Sequence, residues 1–247
     1  TLLDNTQTGL QHSNRLDIMG TGTLNIDESR QLQLITQYYK SQGDDNYGLN
    51  LGKGFSAISG SSTPYVSKGL NSDRIPGTER HLISLQYSDS DFLGQELVGQ
   101  VYYRDESLRY YPFPTVNANK QATAFSSSQQ DTDQYGMKLT LNSQLMDGWQ
   151  ITWGLDAEHE RFTSNQMFFD LAQASASGGL NNHKIYTTGR YPSYDITNLA
   201  AFLQSSYDIN DIFTVSGGVR YQYTENRVDD FIDYTCLLYT SPSPRHS

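Results

Sequence analysis

The feature that most constrains this chain is a period-two alternation of apolar and polar residues that recurs in segment after segment. In 149–160, Trp149, Ile151, Trp153, Leu155 and Ala157 share one parity, while Gln150, Thr152, Asp156, Glu158 and Glu160 share the other. Successive side chains point to opposite sides of a strand, so such a segment reads as a β-strand with one apolar and one polar face. Segment 213–224 sets Phe213, Val215, Val219, Tyr221 and Tyr223 against Thr214, Ser216, Arg220, Gln222 and Thr224. Segments 134–142 and 15–26 repeat the pattern, with Leu139 and Leu141 opposite Lys138 and Thr140, and Leu16 and Ile18 opposite Arg15 and Asp17. Segments 31–40, 80–88, 95–105 and 197–207 follow it less cleanly, with Val98, Tyr102 and Phe202 out of step. Eight strands are expected.

The connections alternate too. Short turns fall at Asp27–Arg30, Asp89–Gly94, Ser143–Gly148 and Asp208–Asp211, and long connections at 41–79, 106–131 and 162–194. Loops of that length are uncommon in compact domains unless they serve a function. Strict short–long alternation puts every long loop on one edge of an up-and-down antiparallel sheet, the layout of an outer-membrane β-barrel. The expected fold is therefore all-β: part of a transmembrane barrel, with about eight strands of a larger whole. Trp149, Tyr87, Tyr207 and Phe213 fall by the short turns, and Tyr38, Tyr103, Tyr135 and Tyr223 toward the long loops. Those positions suit two interfacial girdles. The barrel requires Trp149, Trp153, Leu139, Val215 and Val219 all on the convex face. The alternative, a soluble or surface β-sandwich that binds carbohydrate or protein, would bury the same residues in a two-sheet core.

Composition narrows the function. Seventeen Lys and Arg against 27 Asp and Glu give a net charge of −10, which argues against nucleic acid as a partner, since that needs clustered cations on phosphates. No run approaches the roughly 18 apolar residues of a transmembrane helix, a criterion blind to alternating barrel strands. A single cysteine, Cys236, excludes an internal disulfide and a multi-thiolate metal site. The opening TLLDNTQTGLQHSN has neither a basic start nor an apolar core, so either the protein is not exported or its true beginning lies upstream. From Cys236 the chain runs on with two closely spaced prolines and continues no strand. Residues 1–235 are read as the partial barrel and 236–247 as a non-native tail.

Enzymatic motifs do not complete. Asp89-Ser-Asp91 and Asp131-Thr-Asp133 begin like calcium loops, but their twelfth positions are Gln100 and Asn142 instead of Glu. Alternation separates His159 from Asp156, Glu158 and Glu160, and Gly52-Lys53-Gly54 completes no phosphate-cradling pattern. No nucleophile–base pair emerges, so no catalytic residue is assigned and the chain is not read as an enzyme. The rival enzymatic reading, a barrel lipase or protease, would need such a pair at one rim. The long loops are richer, concentrating cations and aromatics. Arg109, Tyr110 and Tyr111, just beyond the strand that carries Arg104, are the leading candidates for a carboxylate-bearing ligand, followed by Lys68, Arg74 and Arg190.

The stretch from Tyr207 to Tyr221, YDINDIFTVSGGVRY, resembles the recurrent strand–turn–strand of TonB-dependent outer-membrane receptors. SLRYYPFPTVNANKQATAFSSSQQDTDQYGMKLTLNSQ and LNLGKGFSAISGSSTPYVSKGLNSDRIPGTERHLISLQYSDSDFLGQ resemble the siderophore receptors of that family. The resemblance covers about residues 1–235 and implies a 22-stranded barrel with a plugged lumen. It further implies uptake of a ferric citrate–hydroxamate siderophore, such as ferric aerobactin, energised by the TonB complex. The implied setting is the bacterial outer membrane, with its lipid and with bacteriocins as further partners. The iron arrives inside the siderophore, so no cofactor is expected. No TonB box, plug or barrel-closing strand is found, so the expected share is about a third of the barrel, with TonB engaged through an N-terminal region outside this sequence.

Overall fold

The computed structural model describes residues 13–43, 71–119, 121–177, 179 and 181–230. In chain order they form β1 (Ser13–Asn25), β2 (Arg30–Gly43), β3 (Asn71–Ser72), β4 (Gly77–Phe92), β5 (Gln95–Arg109), β6 (Phe113–Val116), β7 (Ala122–Met146) and β8 (Trp149–Phe169). A short helix α1 (Leu171–Ala176) follows, then β9 (Asn181–Asn182), β10 (Lys184–Gly189), β11 (Tyr194–Asp208) and β12 (Thr214–Val228). The eight long strands pair in the order β1-β2-β4-β5-β7-β8-β11-β12, each antiparallel to the next. Chain order and spatial order coincide, as an up-and-down wall requires.

Register shows why the alternation is so regular. Leu34, Leu85, Val101, Met137, Ala157, Leu199 and Tyr223 are successive cross-strand partners from β2 to β12. The adjacent row, on the other face, reads Gln33, Gln86, Gln100, Lys138, Asp156, Ala200 and Gln222. Leu139, Trp149, Trp153, Val215 and Val219 all share the apolar face, through the pairs Leu139–Leu155, Trp153–Leu203, Leu203–Val219, Trp149–Tyr207 and Tyr207–Val215. The expected girdle aromatics within the strands lie on it as well. The belt is bare: Trp153 is 38% exposed, Leu155 44%, Leu203 47% and Val219 66%. Among the described residues no second sheet covers it, which removes the sandwich. A continuous apolar face of this extent calls for lipid.

On the polar face side chains reach across intervening strands. Tyr102 Oη donates to Glu158 at 2.6 Å, from β5 to β8, passing over β7 at Gly136. Arg220 donates to Asp156 at 2.7 Å, from β12 to β8, passing over β11 at Ala200. A Cβ at Gly136 would lie 2.7 Å from the Tyr102 hydroxyl, and one at Gly154 would lie 2.6 Å from the Phe202 ring. These glycines clear the space in which Tyr102 and Phe202, the two aromatics out of step with the alternation, lie against the wall. Side chains that reach over an intervening strand mark the polar face as the concave one.

The short turns are locally determined. Leu93 and Gly94 both take positive φ, 55° and 76°, the backbone of a type I′ hairpin. At the first turn, Asp27 accepts from the Ser29 and Arg30 amides at 3.0 and 2.9 Å and from the Arg30 guanidinium. The bond from the Arg30 side chain, with the amides behind it, holds its carboxyl well below the usual carboxylate range.

Much of the two long connections at 106–131 and 162–194 is itself strand. β7 and β8 continue as a pair to Phe125–Phe169. β6 flanks β7 and β10 flanks β8, so a four-stranded lip, β6-β7-β8-β10, stands beyond the wall. Phe125, Phe169 and Ala174 of α1 make a small buried core on the lip, on the side continuous with the apolar belt. The first long connection, apart from 41–43 and 71–79, and the expected tail at 236–247 lie outside the described residues.

Candidate ligand-binding mouth

The concave face and the lip together present a mouth. On the lip, the concave side carries Ser126, Ser128, Gln166 and Phe168, with Phe113 opposite Ser126 and Tyr186 opposite Phe168. Phe168 and Tyr186 stack at 4.7 Å. Arg190 follows β10 directly; its amide donates to the Ser164 carbonyl at 3.1 Å, and its Nη1 donates to Gln166 Oε1 at 3.0 Å. The guanidinium carbon lies 5.6 Å from the Phe113 ring centre and 5.1 Å from that of Tyr191. Arg190 is half-buried, and no carboxylate pairs with it among the described residues. Rings and an amide hold the cation without neutralising it, which suits capture of an anion.

Below the lip, Asp17, Tyr39, Arg80, Glu106, Thr132, Phe162 and Tyr194 are successive partners along the concave face. Phe162 and Tyr194 stack at 4.7 Å. Arg15 and Arg80 both lie over Tyr39, at 5.1 and 6.0 Å, and Arg80 is neutralised by Glu106 at 2.9 Å. Arg104 sits on the same face between Leu82 and Gln134, with no ion-pair partner among the described residues.

Not every candidate read from the sequence faces this mouth. Arg104 and Arg190 do. Tyr110 donates to Gln130, a concave-face residue, at 3.2 Å. Tyr111 packs on the end of β2, where a Cβ at Gly43 would meet its hydroxyl. Arg109 has the parity of Tyr103 and lies on the belt side, paired with Glu79 at 3.2 Å. Arg74 is 6% exposed, donating to the Ser127 carbonyl at 2.8 Å and to Asn165 Oδ1 at 2.5 Å. Burial lowers its pKa, with Asp131 opposing and Arg109 reinforcing the shift. Lys68 lies outside the described residues. Arg15, Tyr39, Arg80, Phe162 and Tyr194 were not among the candidates, although alternation assigns the first three to the polar face.

A wall of this topology, belted with lipid-facing residues and lipped on one edge, has close parallels. Residues 19–245 match the family described as TonB dependent receptor-like, beta-barrel. The chain belongs to the TonB-dependent receptor family. Its belt is thus a segment of an outer-membrane barrel. It is 91% identical, over 95% of its length, to the ferric aerobactin receptor of Klebsiella pneumoniae, and 39% identical, over 93%, to the rhizobactin receptor of Rhizobium meliloti. It spans about a third of the length of those relatives, 32% and 31%. A solved copper transporter superposes with a TM-score of 0.60 at 13% identity, covering 89% of this chain and 29% of the transporter, a likeness of fold alone. The matched relatives are receptors, which agrees with the silence of the sequence on catalysis.

Proposed function

We propose that this chain is the wall and lip of an outer-membrane receptor that captures a ferric citrate–hydroxamate siderophore, ferric aerobactin, for TonB-energised uptake. The observation that carries the reading is the 91% identity to a ferric aerobactin receptor. The mouth is chemically consistent with it: an unneutralised Arg190 for the citrate carboxylates, flanked by Phe113 and Tyr191 for the apolar arms, above the second cation Arg104 on the concave wall. The chain's own groups bind and orient; no bond is made or broken, and the iron is cargo held by the siderophore. TonB is engaged through an N-terminal region of the whole receptor.

The test is uptake by cells that lack their own aerobactin receptor and express a full-length receptor carrying this segment. Radioactive iron supplied as ferric aerobactin accumulates when TonB is present and fails to accumulate when TonB is deleted. Uptake absent in both strains, at normal surface levels of receptor, contradicts the reading.

A further inference from the structure

The buried guanidinium of Arg74 lies on the back of the strand that holds Arg190. Consecutive residues of β8 serve the two: Asn165 turns to the belt side and accepts from Arg74 at 2.5 Å, while Gln166 turns to the mouth and accepts from Arg190 at 3.0 Å. Around Arg74 two long connections are fastened to each other. Asn71 and Ser72 of β3 run parallel to Asn181 and Asn182 of β9. The Asp73 amide donates to the Asn182 carbonyl at 3.0 Å, Asp73 Oδ2 accepts from the Lys184 amide at 2.7 Å, and His183 lies 3.7 Å from Asp73. Asn182, fully buried, donates to the Gly179 carbonyl at 2.8 Å. The fastened segment leads straight into β10, whose last residue, Gly189, pairs with Asn165 and precedes Arg190.

We propose that Arg74 and Asp73 form a clasp that fixes β10 against the lip and thereby positions Arg190 for ligand capture. Arg74 is a positioning residue and touches no ligand. A short strand at the open rim of a sheet has few contacts and opens locally at low free energy, and among the described residues β10 pairs only with β8. The clasp supplies the second attachment. An arginine at 6% exposure can bridge a fixed carbonyl and a fixed amide at once. Its planar fork satisfies both, whereas a lysine in its place presents one compact donor group. The proposal rests on the reading of Arg190 as the ligand's cation partner, and the experiment separates the two.

In the full-length receptor in detergent, Arg74→Ala is expected to speed hydrogen exchange of the 184–190 amides about tenfold while leaving the belt rows of β7 and β8 unchanged. Unchanged exchange at 184–190 overturns the clasp. The affinity for ferric aerobactin is then measured in Arg74→Ala, Arg190→Ala and the double variant. Action through Arg190 predicts that Arg74→Ala weakens binding severalfold alone and adds nothing to Arg190→Ala. Losses that multiply overturn the positioning role. Wild-type affinity in Arg190→Ala contradicts the ligand reading, and the exchange data still decide the clasp.

Discussion

Replacing Leu155 with arginine separates a lipid-facing belt from a merely exposed one. Leu155 lies between Leu139 and Ala201 on the apolar face, about midway along β8 between Trp149 and His159. An arginine on the lipid face of a barrel costs about 2–4 kcal/mol at the bilayer midplane and about 0–1 kcal/mol near the interfaces. Leu155→Arg therefore lowers the folding equilibrium in lipid roughly thirtyfold to nearly a thousandfold. Ile151→Arg, beside the lower girdle, costs about 0–1 kcal/mol. Thr152→Arg, which projects to the concave face beside Asn142 at 2.8 Å, changes little. On a water-exposed surface all three substitutions would fall within about 0.5 kcal/mol of neutral. The assay is urea-dependent folding of the full-length receptor into phospholipid vesicles. Equal stabilities for Leu155→Arg and Thr152→Arg would refute the assignment of faces.

Three further outcomes follow from the wall. Gly154→Ala places a Cβ 2.4 Å from the Leu139 carbonyl oxygen and 2.6 Å from the Phe202 ring, so it destabilises by about 1–3 kcal/mol; Phe202→Leu in the same background recovers part of the loss in the same assay. Asp27 has a lowered folded-state pKa, so its contribution is fully present above the unfolded value near pH 4 and fades as pH falls through the folded one. The stability gap between wild type and Asp27→Asn stays level from pH 7 to about pH 5 and narrows below about pH 4; a gap that widens on acidification contradicts the turn geometry. Among the described residues β1 and β12 each pair on one side only, leaving open edges that template association. The isolated chain aggregates in detergent-free buffer, and a monodisperse monomer by light scattering would speak against the wall.

The facing of the wall was legible because lipid imposes one rule on every strand. Leu139, Trp153 and Val219 have no choice of side once one face meets hydrocarbon, so period two survives even where Tyr102 and Phe202 interrupt it. The lip was not legible. In ATAFSSSQQD of β7, Phe125 and Ser126 to Ser128 on both faces are buried by the lip's own packing rather than by lipid, so alternation disappears while the hydrogen-bonded pairing with β8 continues. Arg109 stands beside a loop, which suggests the mouth, but its parity with Tyr103 assigns it to the belt side. For Arg190 the sequence offers only its place in a loop. Its partner Phe113 comes from a distant connection that only the pairing of β7 with β8 brings alongside, and no local pattern encodes that meeting.

The measurement that bears most directly on the mouth is the affinity of the full-length receptor for ferric aerobactin in Arg190→Gln, set beside Arg109→Gln. Arg190 offers an unneutralised guanidinium on the concave side, and Arg109 a paired one on the belt side. Arg190→Gln is expected to weaken binding about tenfold, roughly 1.4 kcal/mol, with a smaller loss for a neutral ferric hydroxamate and near wild-type binding in Arg109→Gln. Wild-type affinity in Arg190→Gln, or an equal loss in Arg109→Gln, would contradict the account.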